Sequence, residues 1–406
     1  MRRLLTFLAL FSTCASVGCG PASEAEAESS LTRQASALAD CNARGPGVDV
    51  SLCNFTGLNL SQVNFTGANF FKTILQSANL SGSTLVNTDM REANLTLAVA
   101  TGADFTGANL FKANLTNADL TNATLVNALL TEANLSHVLW DGANLSGADL
   151  RLSSLTDAVI TNANLSGANL SGLAITDTQF VGTNFTGALL TGIQTEDLVF
   201  TGALLEQVNL TGAKLTDAIL TSTRLARANL TGVLGEDANL TDADLRGAVL
   251  NDANWVQSDF TGADLSCFNA STCASVQNAF LVETVWTDAT LTQANLNGTT
   301  LTQATLERTN FTDASLVSVF LEKALLTDTV FVRANLSGAN LKDSTVSGVI
   351  NLSNANLTGA NLYNVNLTAA NVSGVTWSNT LCPNGTNSNA NGGTCVGHLA
   401  PPGYIP

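Results

Sequence analysis

Residues 53–72 read CNFTG LNLSQ VNFTG ANFFK, and the chain continues in fives. Taking the third residue of each five as the centre gives 43 consecutive units from Phe55 to Leu265. Only Ala100, Thr195 and Gly235 break a run of larger apolar centres. The residue two before the centre is Ala in 26 of the 43, and the one just before is Asn or Asp in 24. Strict fives over some 200 residues fit neither a heptad nor a helical period. A longer period lies on top. NFFKTILQSANLSGSTLVN begins at Asn69 and NLFKANLTNADLTNATLVN at Asn109, which are two 20-residue periods apart.

The register slips between Leu265 and Leu281, which are 16 residues apart, and units then run to Val346. A second one-residue slip precedes units centred from Leu352 to Trp377. Trp140, Trp255, Trp286 and Trp377 all fall on centres, where a large apolar ring belongs inside. Twenty residues separate Gly235 from Trp255, so the smallest residue should sit one coil below one of the largest.

This pattern resembles the pentapeptide-repeat family, whose unit is A-(D/N)-L-x-x. The resemblance implies an all-β fold, a right-handed quadrilateral parallel β-helix, with one unit per side and four per coil. It implies that the centre and the Ala position point inward. Sixty-three units at four per coil give about 16 coils, or a rod of roughly 75 Å at the ~4.8 Å layer spacing of β structure. Both ends of such a rod are exposed sheet edges that need covers. We expect an N-terminal cap over 31–52, with a short helix from Leu31 to Ala39. The β-helix is expected over 53–379, with an irregular insertion at 266–280, and a C-terminal cap over 380–406.

The first residues read as a processing signal. Met1-Arg2-Arg3 is basic, and Leu4 to Phe11 is mostly apolar but too short for a membrane-spanning helix. Ser16-Val17-Gly18-Cys19 resembles a bacterial lipoprotein cleavage box, with Ser16 where Leu is usual. That resemblance implies a signal peptide over 1–18, lipidation of Cys19 and a flexible tether over 19–30. Ordinary cleavage near Ala22 is the alternative, and would leave the protein periplasmic or secreted. With lipid on Cys19 it would be an outer-membrane or cell-surface lipoprotein. Six cysteines then remain. They fall into sequence-local pairs, Cys41 with Cys53, Cys267 with Cys273 and Cys382 with Cys395, out of 15 connectivities. Export permits disulfides.

The chain carries 16 Lys+Arg against 32 Asp+Glu, a net charge of −16, so direct binding to nucleic acid phosphates is not expected. Only two histidines occur, His137 and His398, and there is no phosphate loop or His-x-x-x-His pair. No enzyme is indicated. The last residue of every fourth unit reads His137, Asp157, Asp177, Asp197, Asp217, Asp237, Gln257. Carboxylates one layer apart could bridge Ca²⁺ or meet a basic partner. The competing reading is turn chemistry, because Asp tolerates left-handed backbone. A uniform row lacks the two differentiated carboxylates that glycan cleavage requires. Phe71, Lys72, Arg91, Phe111 and Lys112 form a second candidate patch, for a partner. The expected function is a scaffold that binds an envelope protein or glycan. The family resemblance supplies an alternative, an acidic rod that mimics DNA and inhibits a topoisomerase. Flat Thr faces that bind ice are disfavoured, since Val86, Arg91, Asp141 and Arg151 interrupt them.

Overall fold

A computed structural model describes residues 40–196 and 198–404, and of Glu196 only the backbone. The chain winds as a parallel β-helix. Bridges join each residue before a centre to the residue 20 further on, as in Asn54 to Ile74 and Ile74 to Asn94. Four columns of such bridges run along the molecule, one for each unit of the 20-residue coil.

The hydrogen bonds explain the unit. In Ala68-Asn69-Phe70-Phe71-Lys72 the amide of Phe70 donates to Asp89 O in the next coil, and that of Asn69 to Val48 O in the previous one. Lys72 N also donates forward, to Arg91 O. The Ala68 amide closes a turn on Phe65 O. Phe71 N, the fifth amide, has no coil to reach, and the Asn69 side chain accepts it at 3.0 Å. This is why Asn or Asp precedes the centre so often. A backbone N–H left without a partner costs free energy, and the carboxamide two residues back supplies one.

The turn also sets the last position of each unit. Its φ is positive in nearly every described unit, as at Gly67 (67°), Asn87 (53°) and Asp217 (58°). Gly, Asn and Asp suit that region best. Inside, centres and small residues alternate in a dry core. Trp140, Trp255 and Trp286 are fully buried and Trp377 nearly so. Where Ser or Thr replaces the small Ala, its hydroxyl donates to a core carbonyl, as Thr309 does to Trp286 O.

One consequence is testable. Asn209 accepts from both the amide and the hydroxyl of Thr211. Leu189 fills the same column one coil earlier, so leucine fits there. Asn209→Leu should cost about 1 kcal/mol, the usual value of one such bond, read as a lower urea midpoint.

Three boundaries differ from expectation. The repeat starts one unit early, with Val50 already buried and Asp49 bridged to Asn69. It ends one unit late, with Cys382 on a buried centre. The insertion is also shorter than 266–280. Val249 bridges Ser275 and Asp264 bridges Thr290, both 26 residues apart, while Ser275 bridges Asn295 at the normal 20. Ala274-Ser275-Val276 is therefore a regular unit, and six extra residues loop out before it. The small loop is a hairpin bridged between Asn269 and Thr272. Leu31 to Ala39 lie outside the described residues. The slip near residue 349 is the single residue expected, since Val330 bridges Asn351.

All three sequence-local cysteine pairs are bonded: Cys41–Cys53, Cys267–Cys273 and Cys382–Cys395. At the C-terminal end the chain leaves the coil at Cys382. It folds back so that Leu399 O accepts from Leu367 N, the role a further coil would fill.

Candidate functional site

Asp157, Asp177, Asp217 and Asp237 stand on one corner of successive coils, all exposed. Asp197 lies outside the described residues. Each of the four has φ between 50° and 58°, so each fills the left-handed turn position. The backbone passes the column upward, with Asp157 N donating to Thr176 O and Asp217 N to Glu236 O. His137 ends the column, its Nδ1 3.7 Å from Asp157 Oδ2. Among the described residues no three His, Cys, Asp or Glu side chains converge as a metal-holding group. The left-handed turn geometry is by itself a reason for Asp at this position.

This corner has a second peculiarity. Three coils stay extended through it, as strands β1 (Ser154–Thr156), β2 (Ala174–Thr176) and β3 (Gln194–Glu196), paired in parallel register. A shallow open cavity of about 280 Å³ lies there, lined by Ala174, Ile175, Thr176, Gln194, Thr195 and Lys214. Thr195 occupies a centre that is nearly always a larger apolar residue. Its hydroxyl donates to Lys214 O at 2.6 Å. A smaller, polar centre leaves the coil less filled, which accounts for the hollow.

The structure brings the second patch together. Lys72 Nζ and Arg91 Cζ lie 5.1 and 5.4 Å from the Phe71 ring centre, and Lys112 Nζ lies 4.9 Å from that of Phe111. The carboxylates around these cations were missed in the sequence. Lys72 pairs with Glu92 and Lys112 with Glu132, each at 3.3 Å. Arg91 chelates Asp89 through Nε at 2.8 Å and Nη2 at 2.6 Å. The hydrogen bond from Arg91 holds the Asp89 carboxyl below its ordinary pKa. The signal was present. Lys72, Glu92, Lys112 and Glu132 share one column at 20-residue spacing, with alternating sign. These cations are thus neutralised within the protein, which makes the patch a surface brace as much as a partner surface.

A third cluster was not foreseen. Phe268, on the hairpin loop, is partly exposed, with Arg227 Cζ 4.3 Å and Arg246 Cζ 5.9 Å from its ring centre. Arg246 is in turn bound to Asp244. The loop is thereby pinned to the side of the coils by stacking as well as by its disulfide.

A family model described as "Pentapeptide repeats (8 copies)" matches the chain in eleven stretches, some overlapping, that cover most of residues 49–376. No curated protein matches significantly in sequence. HetL, a pentapeptide repeat protein involved in heterocyst differentiation regulation in Nostoc sp. strain PCC 7120, is a similar solved structure. It is 26% identical over 59% of this chain and 91% of its own, with a TM-score of 0.24. Rfr23 from Cyanothece 51142 is 27% identical over 32% and 85%, with a TM-score of 0.18. QnrB1, a plasmid-mediated fluoroquinolone resistance protein, is 20% identical over 45% and 93%, with a TM-score of 0.27. Overlaps this loose carry no argument about what the present chain binds.

Proposed function

Because the chain belongs to the pentapeptide-repeat family, we propose that it is a non-enzymatic binding scaffold displayed outside the cytoplasm. Its rod is a right-handed quadrilateral helix of about 16 coils, roughly 75 Å long at β-layer spacing. Lipid on Cys19 tethers it to a membrane, with residues 20–30 as the spacer between lipid and rod. The rod presents flat side walls to an envelope protein or glycan.

The observation that carries this reading is the set of three bonded cysteine pairs, one at each end of the helix and one on the loop. Three structural disulfides suit an oxidising compartment and not a reducing cytoplasm. The charge of −16 favours a second reading, a DNA-mimicking inhibitor of a topoisomerase. That target sits in a compartment where these cysteines would be reduced.

One measurement separates the two. Intact mass of the protein from the membrane fraction of its host should begin at Cys19 plus acyl chains. It should rise by about six hydrogens on reduction, two per disulfide. An unprocessed, soluble chain with free thiols would overturn the export reading and bring the topoisomerase reading forward. Photo-crosslinkers placed on each wall of the exported rod then test the scaffold role. Capture of the same envelope component from one wall is expected, and no crosslink from any wall would sink it.

A further inference from the structure

One wall carries a feature that neither candidate patch includes. Reading the residue before the centre on this wall gives Leu139, Val159, Gln179, Val199 and Ile219 in five successive layers, each bridged to the next. Polar Asp119 and Asn239 bound the run at either end. Leu139, Val159 and Ile219 are each more than 40% exposed. Single exposed apolar residues are ordinary, and the other walls have them. Leu129 and Leu189, for example, are separated by Asp149 and Asn169 on their own wall. Four apolar side chains in five stacked layers form a stripe, and contiguous exposed apolar surface marks interaction sites.

The edge of the stripe carries most of its charge on one side. Asp157, Asp177 and Asp217 stand two residues before Val159, Gln179 and Ile219, on the corner bordering this wall. The opposite corner reads Asp141, Thr161, Val181, Thr201 and Thr221. There Val181 widens the apolar surface, and Asp141 is already engaged by the Thr161 hydroxyl. Lys214 lies on the adjoining wall, its carbonyl accepting from the Thr195 hydroxyl.

We propose that this wall is a docking face for an amphipathic helix of a partner protein, apolar on the side laid down and basic along one flank. The inference rests on the partner-binding reading above and names the partner's chemistry. Spacing selects a helix. The acidic column repeats at the ~4.8 Å of a β layer, and residues on one side of a strand recur at roughly 6.6 Å. A helix brings side chains back every ~5.4 Å, so its lysines stay close to register over four layers. The stripe is roughly 19 Å long, the span of about 13 helical residues. Lys and Arg stems lie along apolar surface while their heads reach outward. A helix axis centred over Val159 to Ile219 therefore places its basic flank at the Asp corner. The uneven charge of the two corners also favours one direction for the helix.

The test uses the full mature protein and a labelled synthetic peptide of about 14 residues. The peptide carries leucine along one helical face, lysine along one flank and glutamine elsewhere. Fluorescence anisotropy should show saturable binding. The pair Asp177→Asn and Asp217→Asn should weaken it about tenfold at low salt, with the difference shrinking as salt screens the charges. The pair Val159→Asn and Ile219→Asn should also weaken it about tenfold. Leu129→Asn with Leu189→Asn, on another wall, should change it less than about twofold. Circular dichroism confirms that each variant is folded. Absence of binding, equal loss in all variant pairs, or equal binding of a peptide with glutamate on the flank would overturn the proposal. So would light scattering that shows a dimer dissolved by the Val159 and Ile219 changes, since a second copy would then be the occupant. If the peptide fails while crosslinks from other walls still reach an envelope component, this inference falls and the scaffold reading stands.

Discussion

Gly235→Leu is expected to destabilise the protein by about 3 kcal/mol, the upper end of ordinary overpacking. The reason is one contact. A Cβ built on Gly235 would lie 2.2 Å from Cε3 and Cζ3 of Trp255 in the next coil. Real side chains do not approach so closely, and the obstacle is a fully buried ring. The ring has little room to retreat, because Phe260 meets it edge-on with centres 5.8 Å apart. The backbone of Gly235 is not in the left-handed region, so conformational freedom is not why glycine stands there. The partner substitution supplies the control. Trp255→Leu alone should cost about 3 kcal/mol through the cavity it leaves. Nothing polar is lost with it, since the Trp255 Nε1 has no hydrogen-bond partner. Combining the two puts leucine over leucine, the commonest stack in this core. The double variant should lose less than the two single losses combined, about 4 rather than about 6 kcal/mol, a coupling of about 2 kcal/mol. Urea midpoints of the four proteins measure this directly. Additive losses would show that Gly235 and Trp255 do not share one space.

That pair was legible in the sequence because the period of 20 places the two residues one above the other, whatever lies between. The same comb exposes the Asp corner and the alternating Lys72, Glu92, Lys112 and Glu132 column. What was misread failed for a physical reason. Sixteen residues between Leu265 and Leu281 can be three units with one residue added, or two units with six added. Counting favours the smaller disturbance. The structure takes the larger one, because Ala274 and Val276 fill core positions that Ser271 would fill poorly, and because Cys267 and Cys273 need a loop in which to meet. The ends were displaced by one unit for a related reason. Residues 48–52 and Cys382 look like cap in the sequence, yet Val50 and Cys382 occupy the buried centres of terminal units. The apolar stripe was overlooked because each of its members, alone, is an unremarkable departure from Asn or Asp. Its meaning appears only when every fourth unit is stacked on one wall.

The placement of those cysteines leads to the second large effect. Replacing Cys382 and Cys395 with serine is expected to cost about 3 kcal/mol, the entropic worth of closing a loop of this size. Both sulfurs are fully buried. Serine there would add two polar groups to the last layer of the core, where an unpartnered hydroxyl costs more. The damage should start at the end and move inward. In a solenoid each coil is stabilised by its neighbours, so a lost terminal coil bares the next. The bond holds the returning segment whose Leu399 carbonyl takes the Leu367 amide in place of a further coil. Without it, the coils from Leu352 to Leu367 present an open sheet edge, the usual template for edge-to-edge aggregation. Hydrogen exchange on the Cys382→Ser, Cys395→Ser double variant should show protection lost first among the amides of 352–381. Protection between Leu110 and Leu250 should be unchanged. Light scattering should show more association than in the native protein. The Cys267–Cys273 bond closes only a short hairpin on the outside of the coils. Breaking it should leave core protection intact and free Phe268 from between Arg227 and Arg246. Equal loss of core protection from either change would mean that the rod unfolds as a single unit. The C-terminal disulfide would then be an ordinary cross-link rather than the closure of an edge.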